Sequence, residues 1–411
     1  MRGVIWLVLL FVVAVVAATT LGSNDGLVSL YWRGWRTDLS LNLFVILVVG
    51  ACALLMTAVQ ALQALVSLPQ RASQWRALRR ERAAQAALRE ALAEYFSARY
   101  GRAHKAAQRA LALQPEAPEL ARDAQFRTLA RLLSAGSLHR LQDKARRDGV
   151  LREALKGERG GATDDAVRLL AAEWALDDRD AERAFEMLQA LPPGAARRTQ
   201  ALRLRLAAAR QARQPAEALR TARLLANHQA FSPLVAQSLL RSLSSETLES
   251  AHDAQQLRRL WTQFDAADRR DAQVASRAAQ RAAKLDAAED GRQWLRPFWD
   301  RLAELPREDR EAVALALIDV RAGLGPDWLP RLEAAIQAFG HESAVVAAVG
   351  MAFAERQLWG KARRLLEQAA AAPSLSPVVR RMAWRELARL AGQEGDAARA
   401  QACQEAAAAV E

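Results

Sequence analysis

Two long uncharged apolar runs at the start of the chain constrain its fold more than any other feature. Residues 3–20 hold no charged side chain, and neither do residues 39–66, a run that includes Leu41, Phe44, Val45, Ile46, Leu47, Val48, Val49, Leu54, Leu55 and Met56. A helix needs about 20 apolar residues to cross the hydrocarbon core. Only a helix can cross singly, because every backbone group must then be satisfied within the segment. The two runs therefore predict a transmembrane helical hairpin over residues 1–66. Asn42 and Gln60 fall near the ends of the second run, where water is close. The alternative for the first run is a cleaved signal peptide with a small-residue site at Val16-Ala17-Ala18. Its n-region holds only Arg2 and its apolar stretch is long for that role, so retention as a helix is the stronger reading.

Charge gives the orientation. The connection between the runs balances Arg33 and Arg36 against Asp25 and Asp38. Just after the second run come Arg71, Arg76, Arg79, Arg80 and Arg82, opposed only by Glu81. Residues 67–84 thus read as a basic juxtamembrane helix. The positive-inside rule places it, with the N-terminus and everything downstream, on the cytoplasmic side of a bacterial inner membrane. The short connection faces the periplasm, and its Tyr31, Trp32 and Trp35 suit a membrane–water interface. Each arginine held against the anionic leaflet adds about 1 kcal/mol of attraction.

Beyond residue 84 the composition changes. Alanine, leucine and arginine dominate, β-branched runs disappear, and helix propensity is high throughout, so the soluble part should be all-α. The net charge is +12, yet only five of the 58 basic residues are lysine. Basicity of this kind suits an anionic partner, or reflects a compositional preference for arginine. The arginines alternate with Asp and Glu and no recognition motif accompanies them, so a nucleic-acid partner is not expected. Cys52 and Cys403 form no CxxC or Cys/His cluster and read as small packing residues, with no disulfide between them.

Apolar residues then recur at helical period to the end, interrupted at Pro115 and Pro118, Gly160-Gly161, Pro192-Pro193-Gly194, Pro215, Pro233, Pro306, Gly323 to Pro326, Pro373, Pro377 and Gly395. The intervals fit one helix or a helix pair, which predicts a TPR-like helical-repeat solenoid over residues 85–411. A TPR unit is two antiparallel helices in about 34 residues, with small residues where the helices cross. Its clearest form runs from Ser343 to Pro373, with Gly350 in the first helix and Trp359, Ala362, Leu366 and Ala369 in the second. Tyr100, Ala103, Ala107, Ala110 and Pro115 make a second match, and residues 377–411 a third around Gly395. Weaker units fall at residues 163–193 and 197–230, and no register is legible between residues 248 and 339.

This order of parts resembles the proteobacterial HemY family. The match lies in Leu68-Pro69, Trp75, Arg79-Arg80, Arg82-Ala83-Ala84 and the repeat from Leu88 to Leu111, and covers about residues 1–111 closely. The usual Gly-(Asp/Asn)-(Trp/Tyr) turn of the first repeat is absent, Arg99-Tyr100-Gly101 standing there instead. The resemblance implies an inner-membrane protein associated with a late step of protohaem synthesis, with no known catalytic activity. A flavin-dependent protoporphyrinogen oxidase shares the name. It requires a GxGxxG loop after an N-terminal strand, and here Gly323-Leu324-Gly325 runs into Pro326.

No constellation for chemistry stands out. His104, His139, His228, His252 and His341 are dispersed, with no pair at metal-binding spacing. A lone histidine could ligate haem or a porphyrin, but none is marked out for it, and no cofactor, metal or catalytic residue is assigned. Asp164-Asp165 reads as helix capping and dipole compensation. Most of the eleven tryptophans lie at helical spacing with leucines and read as core, while Trp294 and Trp299 flank Pro297-Phe298 as a candidate local cluster. The functional expectation is a non-enzymatic scaffold that binds late haem-pathway enzymes at the cytoplasmic face. The alternative is a scaffold for envelope assembly, of lipopolysaccharide or cell wall, without a role in haem synthesis.

Overall fold

The computed structural model describes Val13 and residues 26–157 and 161–410, without the side chains of residues 63–72. The first apolar run, residues 3–20, lies outside the described residues, and so does the side chain of Arg71. The described chain is mostly helical, in a repeat-like series of pairs. By its internal contacts it divides into residues 1–153 and 154–411.

The first unit opens with a surprise. The connection read as a loop is a two-stranded antiparallel hairpin, β1 (Leu27–Trp32) and β2 (Trp35–Ser40), paired from Leu27↔Ser40 to Trp32↔Trp35. Its two-residue turn, Arg33-Gly34, has φ of 47° and 88°. Those are the angles of a type I′ turn, whose twist matches that of the strands and whose second position suits glycine.

Ser40 then caps α1 (Leu41–Phe96), accepting from the Leu43 N–H. At 1.5 Å per residue this helix is about 84 Å long. Its first part, Leu41–Leu62, has a mean hydropathy of 2.5 and no buried residue, so it is long and apolar enough to cross a membrane. Its last part packs against α2 (Tyr100–Leu113) through Ala84, Ala87 and Ala91, which meet Ala106, Ala107 and Ala110. Methyl-sized side chains let the two backbones approach closely. The segment 67–84 is thus the middle of one unbroken helix joining the apolar stretch to the first pair.

After α2 comes a 3-10 turn, Gln114–Glu116, containing Pro115. The buried Gln114 amide donates to the carbonyls of Leu120 (2.8 Å) and Asp123 (2.9 Å) and closes the bend into α3 (Ala124–Arg140). Helix α4 (Lys144–Leu155) follows.

The second unit stacks α5 (Ala162–Asp177) with α6 (Ala181–Gln189), a short α7 (Pro193–Ala196), then α8 (Thr199–Gln211) with α9 (Pro215–Asn227). Next come α10 (Pro233–Glu249) with α11 (Ala254–Gln263), a short α12 (Ala266–Arg269), and α13 (Ala272–Lys284) with α14 (Ala288–Trp299). The series ends with α15 (Arg307–Asp319) and α16 (Leu329–Phe339), α17 (Ser343–Glu355) and α18 (Trp359–Ala371), and α19 (Pro377–Gln393) and α20 (Ala397–Ala409). The stretch from 248 to 339 therefore continues the same helix-pair pattern. One apolar core runs from Leu202 to Cys403.

A single device closes most of the pairs. The turn residue is left-handed at Ala98, Gln142, Arg179, Arg213, Asp286, Gln357 and Gly395, with φ between 53° and 81°. At each, two N–H groups fold back onto the ending helix, as Leu358 does to the Phe353 carbonyl (2.8 Å) and Gln357 to that of Ala354 (3.0 Å). This is the Schellman closure. In the first pair it is made by Ala98-Arg99, so the turn sits one residue earlier than the sequence suggested, and Tyr100 opens the second helix.

Candidate partner-binding surface

Across neighbouring pairs the first helices touch, α13 with α15 and α15 with α17, while the second helices leave clefts between them. One cleft of about 460 Å³ lies between the end of α14 and α16, lined by Trp299, Ala303, Arg331, Ala335 and Phe339 among others. Another, of about 470 Å³, lies between α16 and α18, lined by Ile336, Phe353, Lys361, Arg364 and Leu365 among others. A third, of about 370 Å³, is formed by α9 and α11 with Thr247 of α10. These concavities sit beside second helices.

Arginine clamps tie one pair to the next. Arg310 forms a two-pronged bond with Glu342 (Nη2–Oε1 2.6 Å, Nε–Oε2 3.2 Å), donates to the Leu305 carbonyl, and lies 4.5 Å from the centre of the Phe339 ring. The Glu342 bond raises the Arg310 pKa, so this cation is fixed. Arg292 donates to the carbonyls of Val320 and Ala322, and Arg356 to that of Leu324. Arg258–Asp290, Arg331–Asp300, Arg241–Asp271 and Arg399–Glu367 repeat the theme. These arginines join one pair to the next, while the net charge of +12 lies outside such ion pairs. Exposed pairs of this kind contribute about 0–1 kcal/mol each, so their value is more in setting the angle between pairs than in stability.

The residues singled out from sequence fall in two places. Arg76, Arg79, Arg80 and Arg82 are exposed along the middle of α1. Arg79 stacks over Trp75 at 5.4 Å, and Arg80 reaches Glu116 at 3.6 Å. The others lie at helix crossings. Ala103, Ala110, Ala362 and Ala369 are fully buried. A Cβ added to Gly350 would stand 3.1 Å from Leu365 Cβ and 3.3 Å from Leu366. Tyr100 meets Tyr95 edge-on at 5.7 Å, Pro115 is exposed at the end of α2, and Trp359 is half-buried beneath Arg389.

Three further expectations need correcting. Cys52 does not pack: it is exposed on α1, whereas Cys403 is buried and its thiol is pushed up by that burial. Trp294 and Trp299 do not form one cluster. Trp294 stacks on Trp261 at 4.9 Å, while Trp299 meets Trp328 edge-on at 6.2 Å, because their positions on α14 point them to different neighbours. The N-cap of α5 is Gly161, so Asp164 and Asp165 act within the first turn, paired with Arg168 and Arg198. Sequence reasoning missed the polar knots at His104–Ser134 (2.9 Å) and His139–Arg147 (3.0 Å). Their partners lie on neighbouring helices, so spacing alone gives no signal. Among the described residues, no three His, Cys, Asp or Glu side chains converge as a metal site would require.

Residues 26–132 match the family described as HemY protein N-terminus. The chain carries a HemY N-terminal region. The HemY match begins at the residue before the hairpin and ends inside α3, so it takes in the hairpin, the whole of α1 and the first helix pair. Among solved structures, one described as Naa15/Naa10 bound to HypK-THB is similar, at 14% identity over 77% of this chain, with a TM-score of 0.25. The chain aligns with 56% of that structure's chain. No curated protein matches.

Proposed function

We propose that this chain is a membrane-anchored scaffold of TPR type that gathers enzymes of a late step in haem synthesis at the cytoplasmic face of the inner membrane and does no chemistry itself. The observation that carries the reading is α1: one helix joins an exposed apolar stretch of membrane-crossing length to the first of a series of helix pairs. Such a stretch is stable only in lipid, and stacked pairs of this kind offer long surfaces to protein partners. The HemY match at residues 26–132 supports the association with haem synthesis. The first run, residues 3–20, completes a two-helix anchor with both ends cytoplasmic.

The helix geometry divides the basic cluster. If α1 crosses along the membrane normal, Arg71 stands about 13 Å beyond Leu62 and Arg82 about 30 Å beyond. Charge attraction is screened over about 8 Å. Arg79 and Arg82 then lie beyond the reach of the lipid charge and serve orientation and partners.

The test is the porphyrin profile of a strain lacking the gene, by fluorescence-detected chromatography. Accumulated coproporphyrin or protoporphyrin, reversed by the intact gene, is the expected result. An unchanged profile removes the haem role.

A further inference from the structure

The hairpin β1–β2 sorts its side chains by face. Residues opposite one another share a face, and successive residues alternate. Val28↔Leu39, Leu30↔Thr37 and Trp32↔Trp35 therefore form one face, with no charge on it. Leu27↔Ser40, Ser29↔Asp38 and Tyr31↔Arg36 lie on the other. On that face, beyond the exposed Leu27, the polar side chains are tied to one another. Ser29 donates to Asp38 Oδ1 at 2.5 Å, Arg36 does so at 3.1 Å, and Arg36 lies over the Tyr31 ring at 5.9 Å. These bonds hold the Asp38 carboxyl below the usual carboxylate range, which keeps it ionised and suited to water.

The apolar face has no such closure. Trp32 is 78% exposed and Trp35 81%, and Leu30 is nearly half exposed. Among the described residues nothing covers them. The other end of the hairpin, at Leu27 and Ser40, joins the apolar stretch of α1. Ser40 ends β2 and caps the helix, and the Leu41 N–H donates to the Gly26 carbonyl at 2.9 Å. No linker separates hairpin from helix. Six residues of strand reach about 20 Å. Standing away from the lipid, the hairpin would hold both tryptophans that far out in water. Lying along the surface, it keeps both indoles at headgroup depth, where tryptophan is enriched because one edge is apolar and the N–H is polar.

We propose that the hairpin Leu27–Ser40 lies flat in the lipid interface at the N-terminal end of the span, with Val28, Leu30, Trp32, Trp35 and Leu39 against the bilayer and Ser29, Arg36 and Asp38 in water. The proposal rests on reading Leu41–Leu62 as a membrane span. The occupant of the apolar face is lipid, because the hairpin runs without a linker into the span and the face carries no charged group that would select a protein partner.

Spin labels on the full chain test it, in nanodiscs of phosphatidylethanolamine and phosphatidylglycerol. In a Cys52→Ser, Cys403→Ala background, single cysteines at Leu30 and Thr37 report the apolar face. Those at Ser29 and Tyr31 report the polar face, and one at Leu54 reports the span. The expected result is a two-residue alternation: Leu30 and Thr37 several-fold more accessible to oxygen than to a water-soluble nickel chelate, with Ser29 and Tyr31 the reverse. Equal nickel access on both faces would overturn the proposal, placing the hairpin upright in water. Immobile labels at Leu30 and Thr37, shielded from both reagents, would also overturn it, by showing a protein cover from residues 1–25, a second copy or another chain. Leu54 separates the two readings. Oxygen-rich Leu54 with either of those results sinks the hairpin proposal alone, whereas nickel-accessible Leu54 sinks the span and the proposal with it.

Discussion

The first half of α1 and the whole of α17 are the two most apolar helices described, and they have opposite surroundings. Leu41–Leu62 is exposed along its length. In Ser343–Glu355, by contrast, every residue from Ala344 to Ala354 is buried. Apolar character alone barely separates them. Length does: 22 residues cross a bilayer, and 13 cannot. Size does as well, since α17 is built from Ala, Val and Gly with Met351 and Phe353 near its end, small enough to be surrounded by other helices, while α1 carries Leu, Ile and Phe outward. One helix has the length and exposure that a lipid solvent would require, and the other is apolar because neighbouring helices surround it.

The sharpest way to break this contrast is to place a charge in each. Val346→Asp puts an unpaired carboxylate in a fully buried site and should cost more than about 4 kcal/mol, enough to unfold the stack around it. Leu54→Asp should leave the melting of the helix pairs unchanged while weakening membrane insertion by about 3 kcal/mol. Circular dichroism and membrane flotation read the two effects, and equal unfolding by both would erase the distinction.

The glycines sharpen it. Gly350 is pressed against Leu365 and Leu366, whereas Gly50 has open space around it. Gly350→Ala should destabilise by about 1–3 kcal/mol through overpacking. Gly50→Ala should be neutral or slightly stabilising, since alanine is the better helix former by up to about 1 kcal/mol. Denaturant melts of the two variants compare them directly.

Much of this was legible in the sequence. The apolar run, the all-α reading and the pairs around residues 100 and 350 follow from hydropathy and period. The hairpin was hidden by its neighbours: Arg33-Gly34 between two tryptophans is a turn signal, but it lay between two runs already read as helices, and only three or four residues alternate on each side. The register from 248 to 339 was hidden for a different reason. Within it the turn at Asp286 adopts the left-handed conformation without glycine, so the residue that usually marks a turn is missing. The clefts depend on how second helices splay, a tertiary outcome with no local signature.

The left-handed turns carry a smaller prediction. Gln357 stands next to α17 at φ 58°. Gln357→Gly should relieve left-handed strain and stabilise by about 0.5 kcal/mol after the entropy lost by glycine is counted. No such change is expected from glycine placed within Leu41–Leu62, where it would only weaken the helix.

The smallest effect is one of pH, in the first unit. Burial above all, then the Arg146 charge, holds the His104 pKa below its ordinary 6.5. The fold therefore favours neutral His104. Its contribution is complete above pH 6.5 and is lost as the pH falls through the lower native value. Between pH 7.5 and 5.5 the intact protein should lose more thermal stability than His104→Gln. Equal losses would show that the histidine is not titrating in the fold.

The unbroken course of α1 also fixes a phase. Each residue turns a helix by about 100° and lifts it about 1.5 Å. With no hinge between Leu62 and Ala84, the direction in which the first helix pair faces around the membrane normal is set by residue count, as the teeth of a shaft set a gear. Adding a single residue to this stretch would swing that pair by more than a quarter turn while hardly changing its height. Adding eighteen would return it to the same bearing about 27 Å farther out.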